Sequence, residues 1–381
     1  MIRRSDLSQE HALFRETVRR FVEDRIRPRA REFDEQGMID KALYREMGEL
    51  GMLGLRYDEA YGGGGLDWTF TAVLHEELPR CDNFGVMTGI AVHADMATPS
   101  LHAHGSGELK RRFLAPAIAG EQVAAVAVTE PQAGSDVARI TTRARRDGDD
   151  WVIDGSKVYI TNAGVADWFG VLAVTDPDAG YGGYSQIIVP RDSPGLSVRL
   201  EEKIGSWGSD TGQVTLDGVR VPVANTIGEV GAGFKQQMEQ FQDERLVACI
   251  NVLGVAELLW DETKRWCDER VLFGTPLSKM QNTQFRMVEM LADIQAAKAF
   301  NNECVRELVE GRDATELISL AKIFVPRVAR RVADGCLQFH GGYGYMKESM
   351  AGRAFVDTRL ASIGGGTDET MMDYVARRLG F

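Results

Sequence analysis

The pattern of apolar and polar positions divides the chain into a helical part, an extended part and a second helical part. In the segment 8–33, Val18, Phe21 and Ile26 recur close to helical spacing. Asp40 precedes the next apolar segment, where it fits the N-cap of a short helix. Comparable spacing continues to about residue 120, so we expect this first part to be helical throughout.

The middle of the chain has a different pattern. Between residues 122 and 228, short runs rich in valine, isoleucine, threonine and aromatic residues alternate with turn residues. No helical period separates these runs, which favours an antiparallel barrel or sandwich over a parallel sheet with crossover helices. The runs predict strands at 122–128, 150–153, 157–161, 168–174, 185–190 and 213–216, with a turn at Asp154-Gly155 between the second and third.

Long helical patterns return from Gly233 onward. They predict helices at 234–267, 282–309, 313–339, 351–360 and 367–379. The expected fold class is therefore α+β. We expect an N-terminal α-helical domain (1–121), a middle antiparallel β-barrel or sandwich domain (122–230) and a C-terminal four-helix-bundle domain (231–381).

Composition excludes several classes of function. The net charge of −12 over 381 residues argues against nucleic-acid binding, which requires a positive surface. No apolar run approaches the roughly 18 residues of a membrane-spanning helix. Five widely spaced cysteines predict free thiols in a reducing cytoplasm. His93, His102 and His104 lie close together in sequence but share no clear acidic partner, so no metal site is expected.

Two segments have the composition of ligand-binding loops. Thr129-Glu-Pro-Gln-Ala-Gly-Ser-Asp136 follows a predicted strand and places hydroxyl groups among small residues. It fits either a surface turn or a loop that grips a planar polar ring. Gln338-Phe-His-Gly-Gly-Tyr-Gly-Tyr-Met-Lys-Glu348 follows a helix. Its glycines could end that helix, or let the backbone approach a phosphate or ribityl chain, and their spacing does not match the dinucleotide fingerprint.

These two segments resemble the two signature motifs of acyl-CoA dehydrogenases. The resemblance extends over essentially the whole chain, although Arg139 stands where the family usually has a small residue. It implies an FAD-dependent oxidoreductase of fatty acid and lipid metabolism that converts an acyl-CoA thioester to the trans-2-enoyl-CoA. Further family-like stretches are 157–162, 208–211, 219–222, 228–234 and 270–277.

The resemblance also implies which residues contact the flavin. Thr129 and Ser135 resemble flavin-contacting positions of the first motif, while Tyr159 and Thr161 resemble residues that lie against the isoalloxazine ring. Others resemble positions that reach the FAD, in part across a subunit interface: Arg270, Phe273, Gln281, Gln338, Gly341, Gly342, Thr367 and Glu369. The family thereby implies a homo-oligomer, commonly a homotetramer, and an electron-transferring flavoprotein as the electron acceptor.

The catalytic base is the point at which the chain departs from many family members. Their base is a glutamate in a Tyr-Glu-Gly-Thr stretch, and the matching Ile363-Gly-Gly-Gly-Thr367 places Gly365 there. A minority, resembling the isovaleryl and long-chain enzymes, carries the base on the first long C-terminal helix, immediately before an arginine. That pattern nominates Glu244 as the base that removes the α-proton while flavin N5 accepts the β-hydride. Periodicity alone does not separate Glu244 from Asp243.

The substrate-binding residues are also implied by the family. Arg245 and Ser135 resemble positions that contact the substrate. At Gly365, the missing side chain predicts room for long or branched acyl chains, and its backbone N–H could donate to the thioester carbonyl. The resemblance leaves three alternatives open: a flavin oxidase or monooxygenase, a dehydrogenase of carrier-protein thioesters, and a flavin-binding protein without catalytic activity.

Overall fold

The computed structural model describes residues 7–381. Their contacts divide the chain into two units. The helical unit contains the chain up to Ala30, Trp68–Met87 and Arg245–Phe381. The sheet unit contains Arg31–Asp67 and Thr88–Glu244. Each unit is assembled from stretches that are distant in sequence.

Helices dominate both ends of the chain, and the strands lie between them. In chain order the helices are α1 Gln9–Phe21, α2 Ala30–Gln36, α3 Lys41–Glu49, α4 Trp68–Glu77, α5 Phe84–Ala91, α6 Pro99–His104, α7 Gly107–Leu109, α8 Ala115–Ile118, α9 Gly233–Glu269, α10 Gln281–Val309, α11 Thr315–Gly344, α12 Met350–Asp357 and α13 Asp368–Leu379. The strands are β1 Ala124–Ala127, β2 Arg143–Asp147, β3 Asp150–Thr161, β4 Trp168–Val174, β5 Tyr184–Pro190, β6 Leu196–Leu200, β7 Thr211–Pro222, β8 Val271–Leu272 and β9 Thr275–Pro276. The predicted order of helical, extended and helical parts is confirmed.

The N-terminal helices follow the predicted pattern, with local irregularities. Asp40 caps α3 as predicted, because its side chain accepts from the backbone N–H of Leu43 at 3.0 Å. The helical structure between residues 84 and 104 is divided, because α5 and α6 lie on either side of a π-helical segment, Val92–Ala97. Pro99 starts α6, where its missing N–H costs no intrahelical hydrogen bond.

The middle of the chain forms one seven-stranded sheet in the order β1-β4-β2-β3-β7-β6, with β5 paired to β4. The predicted antiparallel pairing holds for β2–β3, β3–β7, β4–β5 and β6–β7. The pair β1–β4 is parallel, so the sheet is mixed. Its buried face is lined by apolar side chains, including Trp151, Ile153, Phe169, Val171, Ile187 and Val214.

The strands predicted at 150–153 and 157–161 are one strand, so the turn expected at Asp154-Gly155 was wrong. β3 runs through both residues and pairs with β7 along its length, with a register shift between Ile153 and Gly155. A Cβ on Gly155 would lie 2.3 Å from the Thr142 hydroxyl oxygen. Glycine is therefore required here by a close approach within the sheet and does not mark a chain reversal.

The helical unit contains the helices predicted after residue 245. α10, α11 and α13 lie close to the predicted ranges, and α12 ends at Asp357 rather than at residue 360. α11 buries an apolar face and is interrupted at Gly341, whose φ of 58° and ψ of −138° are not helical. Within residues 7–381, no helix combines the length and the apolar character needed to cross a bilayer.

Candidate functional site

Four of the predicted flavin-contacting residues lie in one part of the sheet unit. Thr129 and Ser135 belong to the motif loop, residues 128–142, and Tyr159 and Thr161 belong to β3. The backbone N–H of Val158 donates to the Thr129 carbonyl at 2.9 Å, which joins the loop to the strand. Thr129 and Thr161 are half-buried and Ser135 is exposed.

Tyr159 has a strained backbone. Its φ of 60° lies in the left-handed region, which costs a residue with a side chain about 1–2 kcal/mol. It coincides with a second register shift between β3 and β7, from Lys157 to Ile160. The shift leaves the tyrosine 70% exposed on a strand whose neighbouring residues are buried. Such strain is retained where the surrounding contacts determine the backbone closely, and it is frequent at binding sites.

Beneath these residues lies a buried ion pair that the sequence analysis missed. The Lys157 ammonium donates to Glu130 Oε1 at 2.9 Å and to the Val128 carbonyl at 2.9 Å. The lysine and carboxylate side chains are 0% and 2% exposed. Burial lowers the pKa of Lys157 to about 8 although Glu130 opposes the shift. Burial alone would raise the pKa of Glu130, but Lys157 and threonine hydrogen bonds lower it to about 2.

One sequence signal could have identified this pair. Lys157 occupies the same phase of β3 as the buried Trp151 and Ile153, because side chains of a strand alternate between its two faces. A lysine in that phase requires a buried acceptor. Which carboxylate supplies it depends on the path of the motif loop, and the sequence did not reveal that path.

Asp243 and Glu244 occupy consecutive positions on α9, and the contacts of Asp243 are as follows. The Asp243 carboxylate accepts from the Arg56 guanidinium at 2.9 Å, and Arg56 lies 3.5 Å from Asp95. Burial raises the pKa of Asp243, and Arg56 opposes that shift. Protonating Asp243 would break its partly buried ion pair with Arg56, so this carboxylate has a structural contact to keep although its pKa is raised. Glu244 is half-buried.

In the helical unit, Arg245 and Gly365 are brought together. Arg245 is 8% exposed, and its Nε donates to the Gly365 carbonyl at 3.2 Å. Gly365 belongs to the glycine loop, residues 361–366, and has a φ of 68°. The fully buried Lys322 ammonium donates to the carbonyls of Ala361 and Gly366, at 2.7 Å and 3.0 Å, and so closes this loop. Lys322 was also missed in the sequence analysis.

The remaining predicted site residues form local groups in the helical unit. Arg270 adjoins the β8–β9 hairpin, whose turn residue Phe273 has a φ of 52° and is 100% exposed. Gln338, Gly341 and Gly342 are exposed near the interruption of α11. Three others lie at the starts of helices: Gln281 is the first residue of α10, Thr367 caps α13, and Glu369 lies in the first turn of α13.

The arrangement around β3 fits a planar ring with polar edges. The side chains of Thr129, Ser135 and Thr161 carry hydroxyl groups that can donate and accept hydrogen bonds, and the exposed Tyr159 supplies an aromatic ring. These features match the residue types of a flavin site: a few polar groups beside aromatic surface.

Comparison with known proteins identifies the relatives of this chain. Residues 8–121, 125–219 and 231–380 match the family models of the acyl-CoA dehydrogenase N-terminal, middle and C-terminal domains. The mitochondrial long-chain specific acyl-CoA dehydrogenase of Sus scrofa is 34% identical over 375 residues, covering 98% of this chain and 87% of the relative.

Solved structures give the same result. An acyl-CoA dehydrogenase from Geobacillus kaustophilus superimposes with a TM-score of 0.96 at 36% identity, covering 99% of this chain and 100% of that one. A glutaryl-CoA dehydrogenase from Mycobacterium smegmatis in complex with FADH2 superimposes with a TM-score of 0.92 at 28% identity, covering 98% of this chain and 95% of that one.

Proposed function

This chain belongs to the acyl-CoA dehydrogenase family, and on that premise we propose that Glu244 is the base of an α,β-dehydrogenation of an acyl-CoA thioester. The reaction removes a proton from Cα and a hydride from Cβ, leaving a trans double bond. The position at which many family members carry a glutamate is Gly365, which has no ionisable group. The base must therefore come from another part of the chain.

The observation that carries the assignment is the ion pair between Arg56 and Asp243. It commits one of the two neighbouring carboxylates of α9 to a guanidinium, with a donor–acceptor distance of 2.9 Å. Glu244 is the other carboxylate, and it stands directly before Arg245, as in the family members with a base on this helix. A half-buried carboxylate on this helix can act as a general base for a substrate bound beside it.

Gly365 and Arg245 have supporting roles in this proposal. The Gly365 backbone N–H donates to the thioester carbonyl and stabilises the negative charge that develops there as the α-proton leaves. Arg245 holds the glycine loop through the Gly365 carbonyl and binds the CoA portion. A bound flavin supplies the acceptor for the hydride that leaves Cβ.

We propose FAD as this flavin, and the residues that hold it are those that fit its parts. Thr129, Ser135, Tyr159 and Thr161 contact the ring system, and Ser135 also contacts substrate. The second group reaches the remainder of the cofactor, in part from a neighbouring subunit of a homotetramer: Arg270, Phe273, Gln281, Gln338, Gly341, Gly342, Thr367 and Glu369. The FADH2 complex of the Mycobacterium smegmatis relative supports the choice of FAD. An electron-transferring flavoprotein is the proposed electron acceptor.

Long or branched acyl-CoA thioesters are the proposed substrates. Gly365 leaves the space that a glutamate side chain fills in many relatives, and that space adjoins the reacting carbons. Reduction of the purified flavoprotein by a panel of acyl-CoA thioesters tests this proposal, because bleaching of the flavin reports the chemical step directly. A clear preference for straight butyryl-CoA would contradict it.

The variant Glu244→Gln tests the base, with Asp243→Asn as the matched control on the same helix. We expect Glu244→Gln to lower kcat by about 10²- to 10⁴-fold, the usual contribution of a positioned base, while the flavin stays bound. Asp243→Asn should weaken stability and retain most of the turnover. The reverse ranking of the two variants would assign the base to Asp243.

A second variant introduces the base of the other family members. Glu244→Gln combined with Gly365→Glu should recover part of the lost turnover and should narrow the range of acyl chains accepted. The recovery will be partial because a glutamate at a φ of 68° carries left-handed strain.

A further inference from the structure

We propose that Lys157 and Glu130 form a positioning pair, which holds the motif loop and β3 in the arrangement that binds the flavin. This inference rests on the proposed flavin site and concerns two residues that do not themselves belong to it. Both side chains are buried, so neither presents a surface to a ligand. Their effect on the cofactor is therefore transmitted through the backbone segments that they join.

The Glu130 carboxylate connects the two ends of the motif loop. It lies one residue after Thr129, in a tight turn in which Glu130 and Ala133 exchange backbone hydrogen bonds. Both of its oxygens accept from the far end of the loop. The donors are the N–H of Thr142 at 2.9 Å to Oε1, and the N–H and hydroxyl of Thr141 at 2.7 Å and 2.9 Å to Oε2. Ser135 lies within the loop that this carboxylate closes.

The Lys157 ammonium connects the loop to the strand. It donates to the Val128 carbonyl and to Glu130 from the middle of β3, at 2.9 Å in each case. Tyr159 follows two residues later, and the Val158 N–H donates to Thr129. The buried ammonium and this backbone hydrogen bond together hold Thr129 and Tyr159 relative to each other.

This arrangement also accounts for the left-handed backbone of Tyr159. A residue with a side chain relaxes out of that region unless its neighbours are held on both sides. Lys157 and Val158 are held on the preceding side by the motif loop. On the following side, the Asn162 side chain donates to the Gly89 carbonyl at 2.9 Å. Loss of the pair weakens the first of these restraints, because only the backbone hydrogen bond from Val158 to Thr129 then remains.

A purely structural ion pair would behave differently from a positioning pair. Replacing a buried ion pair by neutral groups of similar volume often leaves stability unchanged. In Lys157→Met with Glu130→Gln, both buried charges are removed, and the amide oxygen can still accept from either Thr141 or Thr142. If the pair only stabilises the fold, the affinity for FAD should fall only as far as the stability of the folded protein falls. If it positions the loop, flavin binding should weaken beyond any change in stability.

The test compares the full-length holoprotein of the double variant with the wild type. Two quantities are measured: the dissociation constant of FAD, from recovery of flavin fluorescence, and the midpoint temperature of unfolding. We expect the double variant to unfold within a few degrees of the wild type and to bind FAD at least tenfold more weakly. Should it fail to accumulate, Glu130→Asp, which keeps both charges and shortens the reach of the carboxylate, is measured in the same way, with the same direction of change expected.

The control variant is Ile153→Ala. Ile153 is fully buried on the same strand, in the same phase as Lys157, and contacts the core of the sheet. It should lower the unfolding temperature and leave the FAD dissociation constant within about twofold of the wild type. A double variant whose FAD affinity is unchanged, or falls only in proportion to stability as in the control, overturns the inference. Failure of the wild type to bind FAD would instead refute the proposed function.

Discussion

Two fully buried lysines close the loops that carry the candidate chemistry, one in each unit, and they do so with different partners. Lys157 in the sheet unit binds a carboxylate and one carbonyl beside the motif loop. Lys322 in the helical unit binds two carbonyls of the glycine loop, Ala361 and Gly366. Each places a full positive charge beneath a turn that contains predicted site residues.

The difference concerns what remains when the lysine is removed. A carboxylate left without its cation is a buried net charge, whereas a carbonyl left without a donor is a buried dipole. The motif loop therefore depends on an electrostatic pair, whereas the contacts that join Lys322 to the glycine loop are hydrogen bonds to backbone carbonyls. Loss of either lysine should open its loop, with unequal cost in stability and with a different functional defect.

The largest expected effect is the loss of stability in Lys157→Met. Breaking a buried ion pair by removing one partner costs about 3–5 kcal/mol, because the remaining carboxylate is uncompensated. Lys322→Met should cost less, about 1–3 kcal/mol, since it leaves carbonyl acceptors unsatisfied. Denaturant unfolding of the two variants measures both changes. Equal losses of unfolding free energy in the two variants would show that the Glu130 carboxylate does not make the motif loop more dependent on its lysine.

The same two variants should also differ in which function they lose, flavin binding or turnover. Lys322→Met should keep its flavin and lose turnover, because the glycine loop contains Gly365 and not the predicted ring contacts. Lys157→Met should instead lose bound flavin, because Lys157 holds the motif loop that contains the predicted ring contacts. Flavin content of the purified proteins and kcat per bound flavin measure the two defects separately. Loss of flavin in Lys322→Met would contradict this division of roles.

A smaller effect is expected from pH. Burial would raise the pKa of Glu130, but Lys157 and hydrogen bonds lower it to about 2, well below the usual value of 4.5 for a glutamate. A carboxylate whose pKa is lower in the folded state contributes stability that is complete above about pH 4.5 and is lost as the pH falls toward 2. The Glu130→Gln variant should therefore differ most from the wild type above pH 5. Unfolding free energies measured between pH 3 and 7 should converge at the acid end.

The smallest effects concern backbone strain. Tyr159 and Gly365 both have left-handed backbones, with φ of 60° and 68°, but only one of them is a glycine. Gly365→Ala should cost about 1 kcal/mol, and Tyr159→Gly should change stability by less than about 1 kcal/mol, because relief of strain is offset by the flexibility of glycine in the unfolded chain. Thermal unfolding of the two variants measures both changes in stability. A clear stabilisation by Gly365→Ala would rule out strain at that position.

The order of elements was readable from the sequence because long helices and alternating strands have distinct periods. α9, α10 and β4 begin and end within two residues of their predicted bounds. The continuity of β3 could not be predicted, since Asp154-Gly155 has the composition of a turn. Only the pairing of β3 with β7 keeps these two residues in an extended strand. The parallel pair β1–β4 was also not predictable, because it depends on the route of the chain between residues 128 and 167.

The candidate site was only partly predictable for a similar reason. Family resemblance nominated residues with accessible side chains, such as Ser135, Tyr159 and Phe273, and the structure places all three at the surface. The groups that hold those residues are buried and lie far away in sequence. Glu130 and Lys157 are 27 residues apart and Lys322 and Ala361 are 39 apart, so neither contact follows from a local pattern.

The interruption of the helical unit along the sequence has a consequence for biosynthesis. Its earliest stretch ends at Ala30, whereas most of its remaining helices follow Arg245. During translation, α1 can pack against α4 early, but the face of α4 that contacts α10 must wait for more than half of the chain to be made. The nascent chain should therefore be a client of holdase chaperones until α10 emerges from the ribosome.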